Sequence, residues 1–285
     1  MDEIEFYLKD LESRFKGIDK TKYYLSYSGG KDSHFLYWFI KEYLHDTEIE
    51  IVGINTYMEH PQILKRIQKY SDVILYPALK PFEIKEQYGI PCFSKNQDEH
   101  IYYYQKGSRR PYLMERIYGV DSSGNSWHRY SLNSKARDLL LADKLHPISP
   151  KCCTFLKKKP AHKYEKETGR KPILGIRSSE SALRKKAYKK CFTKDGRFTP
   201  LHDLSDELLN KIYEKYNIEI PPIYNLIERT GCMGCPYGSH KGDTEKELYL
   251  VTKQQRKFLG DYFGESYKVL GIDIEKIKAE CGDYE

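Results

Sequence analysis

A short run of glycine, lysine, serine and aspartate near the start of the chain has the chemistry of a phosphate-binding turn. The run consists of Ser28, Gly29, Gly30, Lys31, Asp32 and Ser33. An apolar stretch (23–27) precedes it and an amphipathic stretch (34–44) follows, which predicts a strand, a turn and a helix. Adjacent glycines let backbone N–H groups approach an anion, the helix dipole points at the same place, and Lys31 adds a full charge. The turn therefore predicts a nucleotide site, with an ordinary glycine turn as the alternative.

Cysteine spacing indicates a second site. Four of the seven cysteines form two groups, an adjacent pair and a Cys-Met-Gly-Cys motif: Cys152, Cys153, Cys232 and Cys235. Spacing by two residues lets both sulfurs of the motif face one metal, and a second pair completes a four-sulfur site for zinc or a [4Fe-4S] cluster. Adjacent cysteines rarely point the same way without backbone strain, which favours the bulkier cluster. A zinc knuckle and a redox disulfide remain alternatives.

Positive charge is concentrated between residues 151 and 190. The net charge of the chain is +7, and this window holds fourteen Lys and Arg against three Glu. Within it, an apolar strand ends at Arg177 and the following helix carries Arg184, an arrangement that can hold phosphate or sulfate oxygens. The window suits a nucleotide or a nucleic-acid backbone. For residues 184–190, a solvated basic helix face is the alternative.

Composition narrows the class of protein. The 285 residues are 39% hydrophobic and 31% charged, which predicts a globular protein with one large domain and a small appendage. No apolar run approaches the ~20 residues of a membrane span. The acidic first residues lack the features of a signal peptide, so we expect a cytoplasmic protein whose cysteines are ligands or reactive thiols.

Strand and helix patterns alternate along the first part of the chain, which predicts an α/β fold with a doubly wound, mostly parallel sheet. Ligands of such sheets lie at the carboxyl ends of the strands, and this places Asn55 and Thr56 on the rim of the predicted loop. Asn-Thr is also an ordinary turn and helix cap. We expect an α/β domain over 1–225 and a small cysteine-rich segment with a tail over 226–285.

The pattern weakens over residues 94–150, which we interpret as an insertion with a weak helix near 134–143. Its tyrosines and arginines could stack on and clamp nucleic-acid bases. Because aromatic residues make up 14% of the whole chain, such clustering also arises without a function.

Close to the carboxyl terminus, Cys281 lies in the sequence Glu-Cys-Gly. A thiol on a terminal tail can move into a site and out again to a partner. An idle surface cysteine is the alternative.

Together these motifs resemble the phosphoadenylylsulfate (PAPS) reductase family of the adenine nucleotide alpha-hydrolase (PP-loop) superfamily, and the cysteine pairs are similar to those of its adenylylsulfate reductase branch. The resemblance rests on the loop, the adjacent cysteines with residues 155–160, the segment 175–184, the Cys-x-x-Cys motif and the terminal Glu-Cys-Gly. It covers most of the chain outside 94–150.

The resemblance implies a role for each of these groups. The four paired cysteines would hold a [4Fe-4S] cluster, and Ser28 to Ser33 with Asn55 and Thr56 would bind the adenine nucleotide. Arg177, Arg184 and Lys157 would hold the phosphosulfate. Cys281 would attack sulfur, and a thioredoxin- or glutathione-type reductant would release sulfite. The expected partners are thus a small adenine nucleotide and this reductant, with the protein as a homo-oligomer.

Two features of the sequence depart from the family, and one of them, Lys31, favours a second hypothesis together with the basic window and the insertion. Lys31 fills a loop position where the reductases usually lack lysine but the ATP-cleaving members of the superfamily keep it, and the tail after Cys281 differs from that of the reductases. ATP with Mg²⁺ would then be the substrate, pyrophosphate would leave, and the protein would transfer sulfur or thiolate a nucleic acid. Both hypotheses stay open at the level of sequence.

Overall fold

The computed structural model describes residues 2–121, 123–126, 131–180, 182–227 and 230–281. The strands, in chain order, are β1 (Tyr23–Tyr27), β2 (Glu50–Ile54), β3 (Val73–Leu75) and β4 (Lys171–Ile173). The helices, in chain order, are α1 (Glu3–Lys16), α2 (Lys31–Trp38), α3 (Pro61–Tyr70), α4 (Pro81–Tyr88), α5 (Lys95–Gln105), α6 (Pro111–Tyr118), α7 (Ser134–Leu141), α8 (Lys151–Cys153), α9 (Lys159–Thr168), α10 (Ala182–Ala187), α11 (Asp206–Lys215), α12 (Asp243–Leu250), α13 (Lys253–Leu270) and α14 (Ile274–Cys281). None of these described helices has the length and hydrophobicity of a membrane span.

The described chain divides into two compact units. Unit 1 consists of Met1–Asn55, Glu59–Tyr76 and Lys159–Asn225, and unit 2 consists of Thr56–Met58, Pro77–Lys158 and Leu226–Glu285. One of the boundaries between the units falls after Asn225, and the division into domains over 1–225 and 226–285 stays a prediction. The sequence did not indicate that residues 77–158 join the C-terminal segment.

The physical reason for this grouping is a shared apolar core in unit 2. Ile84 of α4, Cys152 of α8 and Leu259 of α13 belong to one buried cluster, so segments far apart in sequence bury the same surface. The cysteine-rich segment is therefore part of a larger helical unit.

Unit 1 contains a four-stranded parallel sheet in the order β3-β2-β1-β4. Leu25 of β1 pairs with Ile51 on one side and Ile173 on the other. The predicted α/β fold with a parallel sheet is thus confirmed. Because the chain leaves β1 toward β2 and later crosses to β4, the loop after β1 lies at the topological switch point of the sheet, the usual ligand position in such folds.

Aromatic side chains form much of the core of unit 1. Tyr24 of β1 lies in a buried cluster with Val52 of β2 and Tyr164 of α9. Elsewhere in unit 1 the ring of Phe15 lies 5.4 Å from that of Phe39 and 5.3 Å from that of Phe198, between ring centroids. This packing fixes β1, and with it the loop that follows.

The segment 94–150 is more regular than its sequence indicates. It contains α5, α6 and α7, of which only α7 was predicted. Ile101, Leu113, Ile117 and Leu140 from these helices bury a core of their own. The run of tyrosines in α5 conceals the helical period, because only one face of that helix is buried.

Candidate nucleotide site and thiol group

The turn after β1 has a backbone that requires glycine. Gly29 has φ +71°, and a Cβ atom there would lie 2.9 Å from both the Cγ2 and the carbonyl oxygen of Ile63. Gly30 is the N-cap of α2, so the amino end of this helix faces the turn. Glycine thus allows the backbone to lie close against α3, and the positive end of the α2 dipole faces the same turn.

Two serines stabilise the turn. The Ser33 hydroxyl donates to the Gly30 carbonyl oxygen over 3.0 Å, and the Ser28 backbone N–H donates to Ser33 Oγ over 3.2 Å. The two hydroxyl oxygens lie 3.0 Å apart. These bonds set the shape of the loop before any ligand binds.

Lys31 begins α2 and lies half-buried beside polar and aromatic groups. Its Nζ donates to the amide oxygen of Asn210 and lies 5.6 Å from the centre of the Tyr213 ring. Burial and then the neighbouring charge of Arg177 lower the pKa of Lys31. Two cations held this close favour an anion between or beside them.

Arg177 is buried next to the loop, with 6% of its surface exposed. Its guanidinium forms ion pairs with Asp32 and Asp206, each over 2.7 Å. Burial lowers the pKa of Arg177, but the two carboxylates outweigh it and the pKa lies above its usual value. A Cβ at Gly175 would lie 2.9 Å from the Asp32 carbonyl carbon, so the chain after β4 lies directly on the loop.

Two tyrosines that were not predicted as site residues contact the loop. Tyr213 Oη donates to the Lys31 carbonyl oxygen over 2.6 Å, and the Lys31 backbone N–H donates to Tyr224 Oη over 3.0 Å. Neither contact has a signal in the sequence, because each joins residues more than 180 positions apart.

The other four residues predicted to contact the nucleotide are divided between the two units. Asn55 follows β2 at the same sheet edge as the loop, where its N–H donates to Leu75 O over 3.0 Å. Arg184 lies on α10 in unit 1. Thr56 is buried in unit 2, and Lys157 also belongs to that unit. Their roles toward a nucleotide stay predictions.

Unit 2 brings the four paired cysteines into electrostatic range of one another. Cys152 and Cys153 end the short helix α8, and a π-helical turn, Thr154–Lys158, follows them. A hydrogen bond with Cys153, then burial, then the charges of the other three thiols raise the pKa of Cys152. The same hydrogen bond lowers the pKa of Cys153, with the lysines at 95, 157 and 158 acting in the same direction.

The Cys232–Cys235 turn is fixed by groups from three other segments. The Gly234 N–H donates to the buried carboxylate of Glu247 over 2.6 Å, and Tyr267 Oη donates to the Gly234 carbonyl oxygen over 2.5 Å. Thr244 Oγ1 donates to Cys235 O over 2.7 Å, and the Met233 N–H donates to Met58 O over 2.6 Å. Burial raises the pKa of Glu247 to about 7.

A buried hydroxyl among these thiols bears on what they could hold. Tyr262 is 1% exposed, and its Oη has no hydrogen-bond partner within the described part of the chain. Burial raises the pKa of Tyr262, and the four paired cysteines raise it further. A buried donor without an acceptor, within electrostatic range of four thiols, fits a bound group that offers sulfur acceptors.

Among the described residues, no three His, Cys, Asp or Glu side chains are grouped to hold one metal ion. All seven cysteines are free thiols. The chemistry of the donor set and the Tyr262 hydroxyl fit an iron-sulfur group, and ligation by the four cysteines stays a prediction.

Cys281 lies at the end of a helix rather than on a free tail. It is the last residue of α14 and packs, partly buried, on the apolar cluster that also includes Cys153 and Cys232. The expectation of a thiol on a swinging tail is corrected at this position, because Ile274 and Ile277 anchor α14 in the same cluster. Residues 282–285, including the glycine of the Glu-Cys-Gly motif, lie outside the described residues.

Comparisons with known proteins add a distant likeness. The sequence matches no protein-family model, and no curated protein matches it significantly. Among solved structures, it is similar to the U34-tRNA thiolase NcsA from Methanococcus maripaludis, determined with its [4Fe-4S] cluster. The two share 12% sequence identity over 99% of this chain and 80% of that one, with a TM-score of 0.38. A likeness at this level has no bearing on function.

Proposed function

We propose that this chain is a PP-loop enzyme that cleaves ATP to AMP and pyrophosphate and uses the adenylated intermediate to transfer sulfur to a nucleic acid. The observation that carries the proposal is the placement of Lys31 at the amino end of α2, at the switch point of the sheet and next to Arg177. It is the second of the two sequence-based hypotheses.

The loop suits the release of pyrophosphate. The amino end of α2 favours an anion, and a lysine ammonium adds a charge that follows the departing phosphates. Since Lys31 is already held by Asn210 and Tyr213, little side-chain entropy is lost when it meets a phosphate. Mg²⁺ bound with ATP would neutralise further charge.

The chemistry balances without an oxidant. A carbonyl oxygen of a nucleic-acid base forms a bond to the α-phosphorus of ATP, and the bond from that phosphorus to pyrophosphate breaks. A sulfur nucleophile of the hydrosulfide class then forms a bond to the base carbon. The C–O bond breaks, AMP leaves with the oxygen, and a proton is released.

The thiols of unit 2 supply the sulfur side of the proposal. Cys152, Cys153, Cys232 and Cys235 would hold a [4Fe-4S] cluster, and the buried hydroxyl of Tyr262 would donate a hydrogen bond to it. Because each of the four cysteines would occupy one iron, a bound cluster would supply a site for sulfide only on release of one of these thiolates. The support is the donor set itself and the unpartnered hydroxyl among the thiols.

Reduction of an adenylyl sulfate is the second candidate, and one observation favours it. Cys281 packs against the same buried apolar cluster as Cys153 and Cys232, so a third thiol lies in the unit that holds the paired cysteines. Against it, the reductase mechanism needs Cys281 to move between a substrate and a reductant, whereas here the residue ends a packed helix.

Product analysis separates the two candidates. The purified protein, with its iron retained, is incubated separately with ATP, adenylylsulfate and phosphoadenylylsulfate, and pyrophosphate and sulfite are measured. Pyrophosphate from ATP, stimulated by RNA or DNA, supports sulfur transfer. Sulfite that disappears in the Cys281→Ser variant supports reduction and contradicts the proposal.

A further inference from the structure

Unit 2 contains a cleft of about 460 Å³ whose lining combines tyrosines with cations. It lies at the carboxyl ends of α4 and α5 and beside the chain that follows α7. Leu140 and Ile148 form part of its apolar lining. Its volume falls within the range of small-ligand pockets. Neither the nucleotide loop nor the paired cysteines line it.

One wall of the cleft is a guanidinium stacked on a tyrosine ring. After α5 the chain reverses at Gly107, whose φ is +84°, and this turn brings Arg109 back over Tyr104. The guanidinium carbon lies 3.7 Å from the ring centre. Its Nη1 donates to the carbonyl oxygens of Tyr104 and Ser108 over 2.8 and 2.9 Å, which holds the planar group in place.

A second tyrosine of the cleft lies near two lysines, of which Lys106 lines the cleft and Lys151 lies beside it. The ammonium groups of Lys106 and Lys151 lie 5.9 and 5.4 Å from the centre of the Tyr102 ring. Over the described ranges, neither lysine pairs with a carboxylate, and Arg109 donates only to neutral carbonyl groups. The three cations are thus free to meet an anion from outside.

We propose that this cleft binds an unpaired stretch of single-stranded nucleic acid, with a base stacked on the Arg109 guanidinium and phosphates near Lys106 and Lys151. The inference rests on the proposed function, for which it supplies the acceptor site. Stacking on aromatic and guanidinium planes beside cations is the usual mode of single-strand recognition.

The acidic side chains of the cleft favour a ligand that carries nucleic-acid bases over one that carries only negative charge. Glu86 and Asp143 also line it, and both would repel a chain of phosphates alone. Carboxylates accept hydrogen bonds from the exocyclic amino groups of bases, so they fit a ligand with such groups. The mixed lining therefore matches a nucleotide chain better than an acidic peptide.

The test measures the affinity of the full-length protein for a labelled single-stranded RNA by fluorescence anisotropy, without ATP. We expect Arg109→Ala to weaken binding about tenfold, since the stacking plane is lost. Tyr102→Leu should weaken binding by about the same factor, because it removes the ring beside which both ammonium groups lie. The matched controls are Lys276→Ala, an exposed lysine on α14, and Tyr118→Leu, a tyrosine that is 46% exposed on α6. Thermal unfolding of each variant verifies that it is folded.

Three further ligands identify what the cleft recognises. An abasic strand of equal length should bind more weakly than the RNA, whereas equal binding would mean phosphate attraction alone and overturn the inference. A duplex of the same sequence should also bind more weakly. A free mononucleotide that binds as tightly as the strand, or an acidic peptide that does, would likewise overturn it.

Failure here is separable from failure of the proposed function. Pyrophosphate release by the wild-type protein is measured with ATP and saturating RNA, and RNA binding is measured without ATP. RNA-dependent pyrophosphate release, together with variants at Arg109 and Tyr102 that bind RNA normally, overturns the cleft alone.

Discussion

The Nε atom of Arg177 donates to the carboxylate of Asp32 over 2.7 Å, and so joins the chain after β4 to the loop after β1. A second ion pair to Asp206 extends this connection to α11. The guanidinium fork suits such bridging because it presents several donors in one plane. The shape of the nucleotide loop therefore depends on two segments far from it in sequence.

Replacement of Arg177 by alanine should lower the free energy of unfolding by about 3 kcal/mol, because Asp32 would be left in a poorly solvated place without its partner. Chemical denaturation measures this value. The matched control is Lys211→Ala, whose ion pair with Glu207 is exposed and screened by solvent and should contribute far less. Equal losses in the two variants would contradict a special role for Arg177.

Gly234 should tolerate no side chain. It has φ +61°, and a Cβ would lie 2.7 Å from Tyr267 Oη and 2.9 Å from Leu259 Cδ1. We expect Gly234→Ala to cost about 3 kcal/mol of stability, from backbone strain and overpacking. Gly264→Ala on α13, where nothing lies within 4 Å, should instead stabilise by about 0.5–1 kcal/mol. Differential scanning calorimetry distinguishes the two directions.

Protein purified without oxygen should be brown and contain iron with labile sulfide. Cys232→Ala should lose both, because one of the four proposed ligands is gone, while Cys191→Ala in unit 1 should keep them. Metal analysis and the visible absorption spectrum provide the measurement. Colourless wild-type protein with stoichiometric zinc would rule out the cluster.

Stability should fall in mild acid because of His34. This residue is 4% exposed, its Nδ1 lies 2.9 Å from Tyr27 Oη, and burial followed by Arg66 and Lys69 lowers its pKa from 6.5 to about 3. Below pH 6.5, His34 of the unfolded chain binds a proton, whereas His34 of the folded chain stays neutral until the pH approaches 3. The stability present above pH 6.5 is thus lost as the pH falls toward 3, by up to about 1.4 kcal/mol per pH unit.

The variant His34→Gln should show a shallower loss of stability between pH 6.5 and 5 than the wild type. His162→Gln, at an exposed position on α9, should retain the wild-type slope. Urea denaturation at several pH values gives the slopes. Identical slopes for the wild type and His34→Gln would show that His34 accepts its proton in the folded state.

Local patterns in the sequence were sufficient to predict the turn after β1 and the parallel sheet. Gly29 and Gly30 act through backbone geometry, which depends on few neighbours, and the strand-helix alternation around them predicted the α/β fold. The contacts of Tyr213 and Tyr224 with Lys31 could not be predicted, because they arise only when distant segments pack together.

The helix at the carboxyl terminus and two of the helices in segment 94–150, α5 and α6, have only a weak apolar pattern in the sequence, and for this reason they were not predicted. Ile274, Ile277 and Cys281 follow helical spacing, which indicates a helix at the position interpreted as a tail. In segment 94–150, the buried Ile101 and Leu113 belong to different short helices, and each helix alone has too few apolar residues to show its period.

Analysis of the products of ATP by ³¹P NMR tests the central claim most directly. With Mg²⁺, an acceptor RNA and hydrosulfide present, the account predicts AMP and pyrophosphate from the wild-type protein, and about hundredfold slower release from Lys31→Met. The matched control, Lys163→Met on α9, alters an exposed lysine and should act as the wild type. ADP and inorganic phosphate as products, or undiminished pyrophosphate release from Lys31→Met, would contradict it.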